Sequence, residues 1–482
     1  MSEYKSPGIY VKELPLSSPT LVEVKTAVPA FVGYTETAKD IKNDDLRLKP
    51  TKITSMRAYE RYFGGPQKTF PNEDGKRFSV DVLKAKDGNI TNVHVYEPDL
   101  VYTLYYAMKM FFANGGRDCY IVSVSGYNMT SPEILLDDIG NNYGLMDGLN
   151  TLKGIGDVTL LVIPEAVNLD ETCYRKMVHA MLNQCNDLQD RFAVMDIYDG
   201  NKKLNTSKLS SNRTKFGNTY LKFGAAYYPF LKTSIHYQID ENSVYVTMLD
   251  RTKSVRQLKP SAESIRLKSL KYNDNSVYNA VIKALKKYYI VLPPSSTVVG
   301  IYAATDASKG VWKAPANVRL NDVIKPVINI DNALQSNLNA DAVSGKSINA
   351  IRAFSWKDTL IWGARTLAGN DNEWRYVPIR RLCINIEETI KKSTHWTVFE
   401  ENNTATWEKV ENMIKTYLTS KWQQGALVGE TSEQAFFVRC GLGSTMNASD
   451  LTQGRLNIEL GIAVLRPAEF IVLKISHYLP SS

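Results

Sequence analysis

The residue types that most often do chemistry are all present in this 482-residue chain, but none stands in a working arrangement. Gly345-Lys346-Ser347 matches the end of a phosphate-cradling loop, whose backbone amides hold phosphates while a lysine reaches the outer ones. The glycine that opens such a loop would fall at position 340, which is Ala340. Gly154-Ile155-Gly156 begins a dinucleotide fingerprint, yet Thr159 stands where its third glycine belongs. No Gly-x-Ser-x-Gly elbow and no His-Glu-x-x-His pair occurs, and His94, His179, His236, His395 and His477 are scattered singly, as surface or packed residues. Glu387-Glu388 resembles an acid–base pair. Neighbours on a helix point about 100° apart, however, and each glutamate has a lysine four residues on, which is the pattern of a solvated ion-pair face. Five cysteines (Cys119, Cys173, Cys185, Cys383, Cys440) are odd in number and far apart, so they read as buried free thiols. No catalytic residue, metal site or cofactor is expected.

The elements that would position these side chains belong to an ordinary globular protein of two or three domains, with 44% hydrophobic and 10% aromatic residues. No apolar run approaches the roughly 18–20 residues that cross a bilayer. Met1-Ser-Glu-Tyr-Lys lacks the apolar stretch of a secretory signal, so synthesis and folding in a cytoplasm are expected. The net charge of +8 is concentrated: between Arg251 and Lys287 ten basic residues face two acidic ones. The tyrosines there (Tyr272, Tyr278, Tyr288) are not interleaved as a base-stacking platform requires, so a solvated face is expected rather than a nucleic-acid site.

In chain order, Ile9-Tyr10-Val11 reads as a short strand ahead of a Pro15–Thr20 linker that spans at most roughly 20 Å. Leu21–Val24 and Ala30–Gly33 read as strands, and Ser55–Phe63 as a helix stopped by Gly64-Gly65-Pro66. Helix Tyr102–Phe112, strand Cys119–Val124, strand Val158–Ile163, helix Glu171–Leu188 and strand Phe192–Asp196 alternate as in an α/β domain. Lys202–Asn218 reads as a polar loop, Tyr220–Leu231 as buried, and Thr233–Leu270 as a small basic β-rich insertion. Helix Val277–Tyr288 and strand Ile290–Leu292 follow.

The stretch from Ile351 to Ile475 is the densest, with four of the seven tryptophans between Trp356 and Trp396. Ile379, Leu382, Ile386 and Ile390 form one apolar helical stripe. A second helix over Trp407–Trp422 turns Trp407, Val410, Ile414, Tyr417 and Leu418 inward and Lys409, Glu411, Lys415 and Lys421 outward, with Gly425 as its stop. Phe470–Tyr478 reads as a terminal strand.

Several of these stretches resemble the contractile tail sheath family of phages, tailocins and extracellular injection systems. The matching pieces are Gly310–Ala316, Trp362–Ala368 (Trp-Gly-Ala-Arg-Thr-Leu-Ala), Tyr376–Arg381, Trp396–Glu400, Ala435–Cys440, Arg466–Phe470 and the opening Ser6–Val11, with Phe111–Arg117 as a weaker one. The resemblance implies an α/β (α+β) fold in three parts. Residues 1–22 are an arm and linker, 23–344 an outer α/β region carrying the insertion at about 233–270, and 345–482 the core sheath domain. It implies hexameric rings stacked into a sheath around an inner tube protein, with baseplate and terminator or cap proteins as further partners, no nucleic acid, and no direct membrane insertion. Assembly in a bacterial cytoplasm, within a phage tail or a released particle, goes with it.

The same resemblance makes Ile9, Tyr10 and Val11 at one end, and Phe470, Ile471, Val472, Leu473 and Ile475 at the other, strands that join neighbouring subunits. The sequence agrees, since a lone strand behind a Pro-containing linker must pair elsewhere. The charged helix faces carrying Glu387, Lys391, Lys392, Lys409 and Lys415 are candidates for gripping the inner tube. The rival readings are a non-contractile tube or shell component and an α/β enzyme.

Overall fold

The computed structural model describes residues 21–67, 79–96 without 86, 100–128, 133–250 without 141 and 243, 264–354 without 340 and 342, and 358–467. Ile9–Val11, the Pro15–Thr20 linker and Phe470–Tyr478 lie outside these residues. The chain divides into two compact units, one of residues 25–384 and one of residues 1–24 with 385–482. The division falls inside helix Val377–Ser393, whereas the sequence reading places it at 344/345. The difference arises because Asn349–Phe354 and Asp358–Ile361 are strands of the larger unit's main sheet.

That sheet has nine strands among the described residues. In spatial order they are Val318–Arg319, Asp358–Ile361, Asn349–Phe354, Gly224–Tyr228, Phe192–Asp196, Leu160–Val162, Pro29–Gly33, Cys119–Ser123 and Thr51–Ile53. The middle six run parallel and the others pair antiparallel. Pro29–Gly33, Phe192–Asp196 and Gly224–Tyr228 are buried throughout, as parallel strands covered by helices on both faces must be. Helix Glu171–Leu188 and strand Phe192–Asp196 have the limits the sequence predicts, and Asp170 caps the helix by accepting from the amides of Thr172 and Cys173. Met56–Phe63 is capped by Ser55 and ends at Gly64, whose φ of +78° suits glycine. Four of the five free cysteines are buried.

Two buried carboxylates tie this unit together. Glu165 accepts from the amides of Tyr34 (2.8 Å), Thr103 (2.7 Å) and Leu104 (3.0 Å), joining the end of the Pro29–Gly33 strand to the start of helix Leu104–Ala113. Asp196 accepts from the Ser295 amide (2.7 Å) and hydroxyl (2.5 Å) at the start of helix Ser295–Lys309. Burial pushes both acids up to about 7, against the pull of these donors.

Three local readings are corrected. Leu21–Val24 is not a strand. Thr206–Lys215, inside the supposed loop, is a helix capped by Asn205; Leu209 supplies its apolar anchor, and Arg213 is buried by donating to the carbonyls of Lys346 (3.1 Å) and Leu338 (3.2 Å). The insertion is larger and differently bounded than 233–270. Its sheet joins Ser264–Arg266, Tyr245–Asp250, Ser79–Lys84 and Ile90–Tyr96, while Leu231–His236 belongs to a separate three-stranded sheet with Tyr289–Leu292 and Val323–Pro326.

Candidate subunit-joining site

The smaller unit is built on helix Thr404–Gln423, capped by Asn403 and followed by Gly425 at φ +81°. Trp407, Val410, Ile414, Tyr417 and Leu418 are buried, as their spacing predicts. Lys421 is not outward: its ammonium is buried and pairs with Glu23 at 2.6 Å. The sequence misses this because Glu23 lies 398 residues away.

Lys421 is one of three ties that hold Glu23 and Val24 in this unit. Thr389 accepts from the Val24 amide (3.2 Å) through its hydroxyl, and the Asn385 amide group donates to the Val24 carbonyl (3.0 Å). Asn385 and Thr389 stand four apart on helix Val377–Ser393, so they present one face to the chain. Extended backbone with no strand partner is thus satisfied by side chains instead. None of these three residues was singled out from sequence as a site.

The same unit carries a sheet that has only two strands among the described residues. Phe436–Arg439 runs antiparallel to Glu459–Ile462, with Phe436 opposite Ile462 and Arg439 opposite Glu459. Phe436 and Val438 are buried while Phe437 and Arg439 face out. Past the strand ends the Ala463 amide donates to the Ala435 carbonyl (2.8 Å), and a separate segment joins there, with Val428 donating to the Ala463 carbonyl (2.8 Å). A two-stranded sheet is marginal alone and leaves edge groups for further strands. Its rim is apolar for an exposed surface, with Val428, Phe437, Leu442 and Leu465 each 42–53% exposed.

The charged residues assigned to tube contact are distributed as follows. Glu387, Lys391 and Lys392 are exposed near the end of one helix, and Lys409 and Lys415 are exposed on the other. Glu388 is buried and accepts from Lys391 (3.1 Å), Lys415 pairs with Glu411 (2.6 Å), and the Lys409 ammonium lies 4.4 Å from the centre of the Trp396 ring.

The chemistry-like motifs resolve as structure. Lys346 and Ser347 are buried, donating to the Asn218 side chain (2.9 Å) and the Asn339 carbonyl (2.7 Å). An open cleft of about 670 Å³ is lined by Glu36, Lys39, Asp44 and Arg47 among others, but its guanidinium is already engaged by Asp44 (2.6 Å) and by Ser123.

Residues 369–477 match the phage tail sheath C-terminal domain. A putative prophage major tail sheath protein of Pseudomonas aeruginosa (strain UCBPP-PA14) is 25% identical over 198 residues; the match spans 40% of this chain and about half (47%) of the relative's length. The whole chain is similar to solved structures. A chain of the anti-feeding prophage baseplate is 29% identical at a TM-score of 0.63, covering 99% of this chain and 100% of that one. A chain of the contracted PVC sheath complex, from an extracellular contractile injection system, is 27% identical at 0.63, covering 99% and 98%. A chain of the contracted anti-feeding prophage helical sheath is 28% identical at 0.63, covering 98% and 99%. Residues 369–477 thus match a tail sheath domain, and the whole chain is similar in its α/β fold to solved chains of contractile particles.

Proposed function

We propose that copies of this chain polymerise as stacked hexameric rings around an inner tube, and that the polymer shortens to drive the tube through a target envelope. The observation that carries this reading is near-complete coverage, in both directions, of sheath chains from contracted particles. The two-stranded sheet Phe436–Arg439/Glu459–Ile462 is the acceptor, completed by Ile9–Val11 and Phe470–Ile475 of neighbouring copies through strand addition. Each backbone hydrogen bond so formed contributes about 0.5–1.5 kcal/mol net. That is modest for one strand, and it recurs at every subunit of a closed ring.

The ties at Glu23 and Val24 set where the arm leaves, and the linker before them leaves slack for subunits to slide while joined. Contraction draws its energy from subunit contacts better made in the shorter state, without nucleotide hydrolysis. The inner tube, the baseplate and a terminator are the further partners, with Glu387, Lys391, Lys392, Lys409 and Lys415 as tube contacts. Assembly takes place in a bacterial cytoplasm.

Negative-stain microscopy of the purified protein tests the reading: hollow cylinders are expected. Tyr10→Pro together with Val472→Pro removes ladder donors at both arms, and is expected to leave a folded monomer by circular dichroism that forms no cylinders. Normal cylinders from that variant would overturn the strand exchange, and a wild-type protein that forms only thin smooth tubes or closed shells would overturn the sheath itself.

A further inference from the structure

The distribution of charge sets one subdomain apart. Of 58 basic and 50 acidic residues, ten and two lie between Arg251 and Lys287, which leaves 48 of each sign in the rest of the chain. The described part of this window belongs to the four-stranded sheet of the insertion and to its two helices, Leu267–Asn273 and Asn275–Leu285. The subdomain has its own core, in which Val80, Val82, Val95 and Val246 meet Leu267, Leu270, Val277, Val281 and Leu285.

With the apolar positions turned inward, the cations take the outer faces. Arg266, Lys268, Lys271, Lys283, Lys286 and Lys287 are all exposed. The window's described acid, Asp274, is already used: it pairs with Lys84 (2.9 Å) and caps the second helix through the Val277 amide (3.1 Å). Among the described residues no carboxylate pairs with Lys268, Lys283, Lys286 or Lys287.

Fold stability does not account for all of these charges. Lys283, Lys286 and Lys287 complement the carbonyl end of their helix. Arg266 and Lys268 instead sit at the N-terminus of the other helix, Leu267–Asn273, where the helix dipole disfavours cations. Beside them Tyr272, four residues on from Lys268, is 82% exposed.

From this arrangement we infer that the subdomain is a peripheral docking surface for an anionic lipid bilayer. Five of the six cations are lysines, point charges that attract a charged surface without the forked geometry of arginine recognition. Lys268, Lys271 and Lys283 stand on the exposed faces of the two helices and Lys286 and Lys287 on the turn that ends the second, where a flat sheet of headgroups can approach. A ring such as Tyr272 is the amphipathic group that settles at headgroup level. A single-stranded nucleic acid would call for aromatics interleaved with the charges, and one exposed ring does not form that platform. The contact is superficial, since no helix among the described residues is long and apolar enough to cross a membrane.

Co-sedimentation of the full-length protein, with vesicles of phosphatidylcholine alone and of a phosphatidylcholine–phosphatidylglycerol mixture, tests this directly. Binding to the mixed vesicles is expected at low salt, weakening as ionic strength rises. The variant Lys268→Glu/Lys283→Glu/Lys286→Glu/Lys287→Glu should lose about a hundredfold or more in affinity. Tyr272→Ala should lose about threefold with the salt dependence unchanged. Should the fourfold reversal fail to fold by circular dichroism, Lys268→Gln/Lys283→Gln serves in its place, with an intermediate loss expected.

Equal sedimentation with both vesicle types would overturn the inference, as would charge variants that bind like wild type or tighter binding to duplex DNA than to vesicles at equal phosphate. The inference stands apart from the sheath reading: cylinders that form normally yet ignore anionic vesicles would refute it alone.

Discussion

Arg381 illustrates how the residues that carry the sheath resemblance serve the fold. It pairs with Asp306 at 2.5 Å with both side chains buried, donates to the Thr26 carbonyl (3.0 Å) and stacks over Tyr302. Arg365 is likewise buried, donating to the Asn339 carbonyl (3.1 Å), while Arg380 lies over Phe223 and Trp374. Replacing Arg381 by Ala strands a buried carboxylate, and should cost about 3–5 kcal/mol in urea unfolding. Pairing it with Asp306→Leu should recover part of that loss, since no charge is then left alone. Glu23→Ala leaves the Lys421 ammonium buried without its carboxylate. A loss of about 1–3 kcal/mol is expected, toward the low end because Glu23 is 40% exposed. Glu165 and Asp196 carry a pH dependence whose sign follows from their raised values. The folded state holds protons that the unfolded state has released between the ordinary carboxylate range and about pH 7, so their contribution falls as pH rises through that window and is flat above it. Urea midpoints from pH 4.5 to 8 should fall with pH in that interval, and less steeply in Asp196→Asn.

Among the elements, helix Ser295–Lys309 packs closely against helix Leu104–Ala113 at Gly300. A Cβ at Gly300 would stand 2.6 Å from the Phe111 carbonyl oxygen, which is backbone and cannot swing away. Gly300→Ala should therefore destabilise by about 1–3 kcal/mol in thermal or urea unfolding, although alanine gains about 1 kcal/mol in helix propensity. A neutral or stabilising result would mean that the helices separate freely. Elements with strong local signals were legible before folding: Glu171–Leu188 has a capping aspartate and an apolar stripe, and the parallel strands are unbroken apolar runs. Thr206–Lys215 was not, because ten residues with Leu209 alone among the larger apolar types carry no period to detect. Its burial comes from polar groups meeting distant carbonyls.

At the scale of the whole molecule, the proposed store of energy in an assembled polymer predicts a one-way change. Extended cylinders warmed or exposed to mild denaturant should convert to shorter, wider ones that do not lengthen on return, with rates unaffected by added nucleotide; microscopy before and after checks this, and re-extension on cooling would refute the stored-energy account. The sequence by itself determined the α/β alternation, the amphipathic helix Thr404–Gln423 and the family resemblance, because capping, periodicity and short motifs are local and survive in one dimension. Tertiary structure decided the rest. Ser79–Lys84 pairs with Tyr245–Asp250 although four strands of the main sheet lie between them in the chain, and Glu23 meets Lys421 from 398 residues away in sequence. Pairings of that kind depend on which surfaces meet once the chain has folded, and no window of neighbouring residues contains both partners.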